Sequence, residues 1–338
     1  MPLAARRTFR LAAVMGLSLA FAYGWGTALP FLAPLFALYL TAGPAPPMGA
    51  RSLAGLLGVV VLTLGLGLVL APVLRLYPAS GVMMIAAGLF ASTLLGVGKG
   101  KGLVSTLLSI GLTMIPAAAL MGHALARSVV EALLIGITVA IACQWTVYPM
   151  FPEEAVAPKR VAPEPETRDA RWIALRTTLV VLPPVLLALT NPSAYMAIIM
   201  KAVQLGQQGN EVAARAAGRE LLGSTMLGGV FALAYWFGLQ AWPSLWMFFL
   251  WTLLFGGFLG GKLYGVIRTR LPSSFWLSVG ATTLILLGPA VEDSGDADVK
   301  AAFLQRFVLF VTVTVYAWCS IVLLERWRER RVARNASA

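Results

Sequence analysis

The chain has 338 residues, of which 59% are hydrophobic and only 12% charged, and its formal net charge is +12. Water-soluble proteins carry about 25% charged residues, so the composition excludes an ordinary soluble domain, and its apolar fraction excludes a disordered chain. The two cysteines, Cys143 and Cys319, lie within apolar runs, which excludes a disulfide-stapled secreted fold.

The positive charge does not indicate a nucleic-acid partner. Most of the 26 Lys and Arg residues lie at the ends of apolar runs, where basic residues orient a chain in a bilayer. They are not clustered with aromatic side chains, as a nucleic-acid surface would require. The apolar runs are continuous and separated by short polar breaks. This pattern predicts an all-α polytopic membrane protein rather than a β-barrel.

In chain order, the polar breaks predict twelve transmembrane helices. The start of the chain, with Arg6 and Arg7 before an apolar stretch, resembles a signal peptide. Because the next apolar run follows within a few residues, we interpret it as an uncleaved first membrane helix. Spans one, two and eight are short for a hydrocarbon core of about 30 Å. The twelve spans are residues 10–25, 28–43, 53–74, 80–97, 103–121, 128–148, 172–190, 193–206, 220–239, 243–260, 273–289 and 303–324.

The distribution of basic residues predicts that both termini are cytoplasmic. With twelve spans, 21 of the 26 Lys and Arg residues fall on the side of the N-terminus and four on the opposite side. Fusing spans one and two, and seven and eight, changes the distribution to 15 and 10. Cytoplasmic loops are enriched in Lys and Arg, so the twelve-span arrangement is favoured.

The sequence contains an internal repeat. Arg51-Ser-Leu-Ala-Gly55 matches Arg219-Glu-Leu-Leu-Gly223, and Arg10 and Arg176 open the first spans 41 and 43 residues before these motifs. Six spans per half is an even number, which predicts parallel repeats related by an axis along the membrane normal. The alternative is that basic residues recur at helix ends through topology alone. We therefore predict a first six-helix repeat over residues 1–150, a cytoplasmic linker over 151–171, a second repeat over 172–325 and a basic tail over 326–338.

The Arg-x-x-x-Gly opening of one span in each half, the short paired first spans and the six-plus-six arrangement resemble the fusaric acid resistance and aromatic carboxylic acid exporter superfamily. Within it, the chain is most similar to a short bacterial branch known as a domain of unknown function. The resemblance implies an inner-membrane efflux permease for organic anions, often working with a periplasmic membrane-fusion protein, and kinship with plant malate channels whose six-span subunits pair around an anion pore. Long members carry a large cytoplasmic domain after the sixth span, where this chain has only the linker.

Signatures of catalysis and metal binding are missing from the sequence. His123 is the only histidine, and no Gly-x-x-x-x-Gly-Lys-Ser/Thr phosphate-binding motif occurs. The acidic run Asp293–Asp298 lacks the glycine and distal glutamate of a calcium-binding loop. We therefore expect no catalytic residue, no metal and no cofactor.

Lys201 is the most informative residue, because it lies within the short eighth span. Gln204 and Gln207 follow at helical spacing and give that helix one polar face. A lysine at the centre of a membrane helix costs about 2.5–3.5 kcal/mol on insertion scales, and such residues usually face a cavity or a partner. We predict that Lys201 and Gln204 bind the substrate; the alternative is that Lys201 snorkels to the cytoplasmic surface. For Gln144, within the sixth span, we favour a helix–helix hydrogen bond over a place in the pore lining.

Two further pairs of arginines recur between the halves. Arg51 and Arg219 open the third and ninth spans, and we predict that they bind substrate at the cytoplasmic mouth. Arg127 and Arg306 open the sixth and twelfth spans at the periplasmic mouth, with Glu131 one turn after Arg127. Rings of basic residues select anions in pores, but each arginine is also explained by simple membrane anchoring.

These features predict an exporter of organic anions, most of all aromatic carboxylates, that is not an enzyme and is driven by the membrane potential or the proton motive force. Carboxylates are scarce inside the spans: Glu131 and Glu220 lie near span ends. The alternatives are an anion channel and a membrane scaffold or assembly protein without transport activity. Expected partners are a small organic anion, the lipid bilayer, a periplasmic fusion protein and a second copy of the chain. The sequence does not identify the substrate.

Overall fold

The computed structural model describes residues 1–43, 46–98, 100, 102–153, 167–211, 214–292 and 299–336. Within these ranges all regular structure is α-helical, which confirms the predicted class. The twelve helices are α1 Leu3–Gly24, α2 Leu32–Ala42, α3 Ala50–Leu76, α4 Pro78–Gly98, α5 Gly102–Met121, α6 His123–Val147, α7 Thr167–Thr190, α8 Pro192–Glu211, α9 Ala214–Ala241, α10 Leu245–Leu263, α11 Ser273–Glu292 and α12 Val299–Ala336.

Each predicted span corresponds to one of these helices. In the described ranges, nine helices are long and apolar enough to cross a membrane. The other three, α1, α2 and α8, contain the spans that the sequence predicted to be short. The chain is therefore a helical protein with the composition of a polytopic membrane protein.

Glycine and proline set several of the helix ends. Gly26 adopts φ +66° after α1, and Gly265 adopts φ +76° after α10. A residue with a β-carbon would be strained in this left-handed conformation. Pro78 begins α4 immediately after α3 ends. At the start of α10, the Ser244 hydroxyl accepts the Met247 amide at 3.2 Å, a standard N-cap.

The last helix is longer than the sequence indicated. The apolar run ends near residue 324, but α12 continues to Ala336 because its polar end is paired with α7: Arg328 forms an ion pair with Asp169. Most of the predicted linker, residues 154–166, lies outside the described residues, as do Asp293–Asp298.

The helices form two compact units, each drawn from both halves of the chain. Unit 1 comprises Met1–Val61, Arg127–Val161 and Met226–Phe307; unit 2 comprises Leu62–Ala126, Ala162–Thr225 and Val308–Ala338. The predicted boundaries, residues 1–150 and 172–325, describe the sequence repeat and not the compact units. The repeat stays a prediction.

Within unit 1, α1 packs against α2 and α10, and α11 packs against the same two helices. Within unit 2, α7 packs against α8 and α4, and α5 packs against the same two helices. The two sets of pairs match one to one: α1 corresponds to α7, α2 to α8, α10 to α4 and α11 to α5. Corresponding helices are six positions apart in the chain order of the twelve helices. Each unit thus contains a ring of two helix hairpins, one from each half of the chain.

Close helix contacts in the two units depend on small residues. In unit 2, Gly67 of α3 faces the Gly111 carbonyl of α5, and a β-carbon on Gly67 would lie 2.8 Å from the Ile115 β-carbon. In unit 1, a β-carbon on Gly228 of α9 would lie 2.7 Å from the Thr282 β-carbon and 3.1 Å from the Val279 carbonyl of α11. These contacts leave no room for a larger side chain, so the backbones approach closely.

Candidate functional site in unit 2

Lys201 lies in the ring of unit 2, on α8, and has no exposed surface. All residues from 198 to 206 are buried, so more than two turns of this helix are covered on every side. Since α8 packs against α5 and α7, these helices contribute to that cover. The side chain does not reach the surface of the chain, which argues against the snorkelling alternative.

Each helix of the ring contributes buried polar side chains. Gln204, predicted as a partner of Lys201, is 8% exposed on the same helix. The side chain of Gln207, which completes the predicted polar face, lies outside the described residues. Besides Arg176 on α7, the other buried polar side chains of the ring are Ser92 and Thr93 on α4, Ser105, Ser109 and Thr113 on α5, and Thr177 and Thr178 on α7.

The hydroxyl groups of α4 and α5 form a connected cluster. The Ser92 and Ser109 hydroxyls are hydrogen-bonded at 2.8 Å, and Ser92 also donates to the Ser105 carbonyl at 3.0 Å. The Thr93 hydroxyl is buried without a hydrogen-bond partner among the described residues. Hydroxyls can donate or accept, so the ring combines one cationic side chain with adaptable hydrogen-bonding groups.

Helix α8 is held close to α7 at Gly206. A β-carbon at this position would lie 2.7 Å from a Val181 methyl and 3.0 Å from the Thr177 methyl. This contact fixes α8 against its neighbour about one and a half turns after Lys201. A buried ammonium group on a fixed helix, in a ring that carries hydroxyl donors, has the chemistry to hold a carboxylate.

The other predicted substrate-binding residues lie at the surface. Arg51 is exposed at the start of α3 in unit 1, and Arg219 is exposed in the second turn of α9 in unit 2. The structure does not bring them into the buried ring with Lys201. Their role at a cytoplasmic mouth stays a prediction.

The predicted periplasmic-mouth residues lie in unit 1. Arg127 donates to Glu131 at 2.7 Å, and their side chains are 81% and 52% exposed. Arg306 is half-buried near the start of α12. Glu131, one turn after Arg127, therefore forms an ion pair with it, whereas the pairing of Arg127 with Arg306 around a mouth stays a prediction.

Gln144 makes the helix–helix hydrogen bond that the sequence favoured. Its amide donates to the Thr41 hydroxyl at 2.9 Å and links α6 to α2 within unit 1. Tyr264, just after α10, donates to the Thr41 carbonyl at 3.0 Å. This polar contact therefore ties three elements together.

Sequence reasoning missed a pair of buried ion pairs. Arg10 of α1 pairs with Glu153, which follows α6, at 2.5 Å. Arg176 of α7 pairs with Glu325 near the end of α12, also at 2.5 Å. Both arginines are buried. The signal was present, because each half places a glutamate beyond its sixth span on the side where its first span opens.

No group of three or more His, Cys, Asp or Glu side chains that could hold a metal occurs in the part of the chain that the structure describes. The buried polar groups of unit 2 are one amine, one amide and hydroxyls, apart from Arg176 and Glu220. This donor set favours binding of an anion over binding of a metal ion.

Comparison with known proteins adds a family match for the first half of the chain. Residues 7–147 match the family described as "Protein of unknown function (DUF2955)". The matched region begins in α1 and ends with the last residue of α6. No curated protein and no solved structure matches the chain.

Proposed function

We propose that the protein is an inner-membrane permease that exports organic anions, most of all aromatic carboxylates. The observation that carries the proposal is the fully buried Lys201 on α8. This helix is one of the four in the ring of unit 2, and all four carry buried polar side chains. Ionisable groups inside membrane helix bundles mark substrate pathways. A buried ammonium group in a ring that also carries buried hydroxyls favours an anion over a cation or a neutral solute.

The membrane potential is sufficient to drive such export. The cytoplasm is negative, so a monoanion that leaves it gains about 2.3 kcal/mol per 100 mV. At about 1.4 kcal/mol per tenfold, this sustains a gradient of roughly 50-fold. The alternative driving force is the proton motive force. The alternative mechanism for the same activity is an anion channel.

Three further features belong to this proposal. We infer twelve spans with both termini in the cytoplasm, two parallel six-helix repeats, and membership of the fusaric acid resistance and aromatic carboxylic acid exporter superfamily. The matching helix pairs of the two units and the end of the family match at the last residue of α6 support the repeat. A periplasmic fusion protein and a second copy of the chain are the proposed partners, and we infer no enzymatic activity.

The test is export of benzoate from whole cells that contain matched amounts of wild-type or variant protein. Lys201→Met keeps the length of the side chain and removes its charge, so we expect export to fall to the level of cells without the protein. Lys201→Arg keeps the charge with a different head-group geometry and should retain part of the activity. Leu38→Met, a fully buried apolar position on α2 in unit 1, is the matched control and should export normally.

Wild-type export by Lys201→Met would remove this residue from the site and leave Arg51 and Arg219 as candidates. A wild-type protein that moves neither benzoate nor other organic anions in reconstituted vesicles would favour the scaffold alternative. Currents that follow the voltage without saturating in benzoate would assign a channel.

A further inference from the structure

A second cationic group, formed by Arg7 and Arg10 on α1 of unit 1, surrounds the carboxylate of Glu153. Arg7 Nε donates to Glu153 Oε1 at 2.9 Å, and its Nη2 binds the same oxygen. Arg10 Nη2 donates to Oε2 at 2.5 Å. Arg7 Nε also donates to Oε2 at 3.2 Å, so Oε2 is shared by both guanidinium groups and Oε1 is held by Arg7. The Arg10 side chain is fully buried and that of Glu153 is 6% exposed.

This group has more donors than the glutamate uses. Arg10 Nη1 donates to the Phe151 carbonyl at 3.3 Å, and Arg10 Nε is buried without an acceptor among the described residues. The Arg10 guanidinium lies 4.2 Å from the centre of the Tyr148 ring. Phe9 and Phe151 also stack on each other, with ring centroids 6.1 Å apart. A pair of guanidinium groups, one of them against an aromatic ring, matches the two ends of an aromatic carboxylate.

Two arginines also determine the charge state of Glu153. Burial alone would raise the pKa of its carboxyl, but the hydrogen bonds from Arg7 and Arg10 outweigh burial and lower the pKa below its usual value. The side chain is therefore an anion at neutral pH. Glu153 therefore binds Arg7 and Arg10 as any other carboxylate would.

The related ion pair of unit 2 differs in two respects. Glu325 is bound by one guanidinium group, since it accepts from Arg176 at 2.5 Å and from the Trp172 indole at 3.1 Å. Its backbone is fixed within α12, whereas Glu153 lies outside any helix, in the segment Phe151–Glu153. The backbone at Glu153 can therefore move away from α1 without breaking a helical hydrogen bond.

We propose that Arg7 and Arg10 form a second carboxylate-binding site, which Glu153 occupies at rest and from which an organic carboxylate displaces it. The exchange replaces one carboxylate by another, so the guanidinium groups stay neutralised while Glu153 becomes hydrated. Arrival of the anion thereby releases the segment after α6 from α1. The inference rests on the proposed function only for the choice of a carboxylate as the ligand.

The test is calorimetric titration of purified protein in lipid nanodiscs with sodium benzoate, using benzyl alcohol as the uncharged control. All variants carry Lys201→Met, so that the first site does not contribute. Glu153→Gln removes the competing charge, and we expect benzoate to bind at least tenfold more tightly. Adding Arg10→Met should abolish this gain. Glu325→Gln is the matched control and should produce no gain, because it leaves the single guanidinium group of Arg176 where Arg7 and Arg10 provide two.

Unchanged or weaker benzoate binding in Glu153→Gln would overturn the inference, as would an equal gain in Glu325→Gln. If Glu153→Gln proves too unstable for calorimetry, thermal unfolding of Glu153→Ala provides the second measurement. Benzoate should raise its unfolding temperature more than that of the parent protein, and benzyl alcohol should not. Equal shifts would contradict the site. Normal export by Lys201→Met contradicts only the proposed function, and the two failures are therefore distinguishable.

Discussion

The two units share one plan of helix packing but differ in what that plan encloses. In unit 2 the ring contains a fully buried lysine on α8, accompanied by hydroxyl groups. In unit 1 the equivalent helix, α2, buries a run of apolar residues from Leu32 to Leu38. Both rings bury hydroxyl side chains, and each unit buries an arginine paired with a glutamate, Arg10 with Glu153 and Arg176 with Glu325. Duplication of a packing scheme therefore does not duplicate its chemistry, because the ring of unit 2 buries a lysine and the described residues of the unit 1 ring do not.

The largest stability effect is expected where backbones touch. Gly67→Ala would place a methyl group against the Gly111 carbonyl in unit 2, and a helical backbone moves with difficulty. We expect a loss of roughly 2–3 kcal/mol, which thermal unfolding in detergent would measure. Gly65→Ala on the same helix faces open space and should be neutral or slightly stabilising.

The corresponding change in unit 1 sharpens the comparison. Gly228→Ala would place its new β-carbon 2.7 Å from the Thr282 β-carbon and 3.1 Å from the Val279 carbonyl, which is a less severe overlap than the one Gly67→Ala makes with the Gly111 carbonyl. Its cost should therefore be smaller than that of Gly67→Ala. Equal costs at the two positions would show that the units are equally tight at this crossing and would contradict the difference inferred from the contacts.

The next effect concerns acid and tests the ion pair of unit 1. The folded-state pKa of Glu153 is lowered from its usual value of 4.5, so its ion pair stabilises the protein above that pH. This contribution is lost as the pH falls through the lower folded-state value. The difference in unfolding temperature between wild type and Glu153→Gln should shrink between pH 6 and pH 3. A constant difference over that range would mean that Glu153 acts through shape rather than charge.

Apolar periodicity and basic residues were sufficient to predict the helices, because each polar break coincides with glycine, proline or a charge. The site was only partly predictable. Lys201 is conspicuous because a cation is rare in an apolar run, and Gln144 because an amide there needs a partner. The packing of a hairpin from one half of the chain against a hairpin from the other half was not predictable, since the apolar pattern of a helix does not indicate which helix it packs against. The sequence indicates only that Arg10 opens the first span, because its partner Glu153 is more than a hundred residues away.

A smaller effect is expected at the hydrogen bond between Gln144 and Thr41. Gln144→Leu removes the donor and leaves the Thr41 hydroxyl buried, which should cost about 1 kcal/mol. Thr41→Val and the double variant complete a double-mutant cycle, in which the coupling should be of the same size. Additive effects would show that the contact contributes nothing beyond packing.

The smallest stability effect belongs to Arg127 and Glu131, whose ion pair is exposed. Exposed pairs add little, because water and salt screen them and because two side chains must be ordered. Glu131→Gln should therefore leave the unfolding temperature unchanged. The informative measurement is transport. If Arg127 attracts anions at a mouth, Glu131→Gln should raise the initial rate of benzoate movement a few-fold at low ionic strength. High salt should abolish this gain, because it screens the charge. Arg127→Gln should lower the rate under the same conditions. Rates that are the same in both variants and in wild type at low salt would assign Arg127 to membrane anchoring alone.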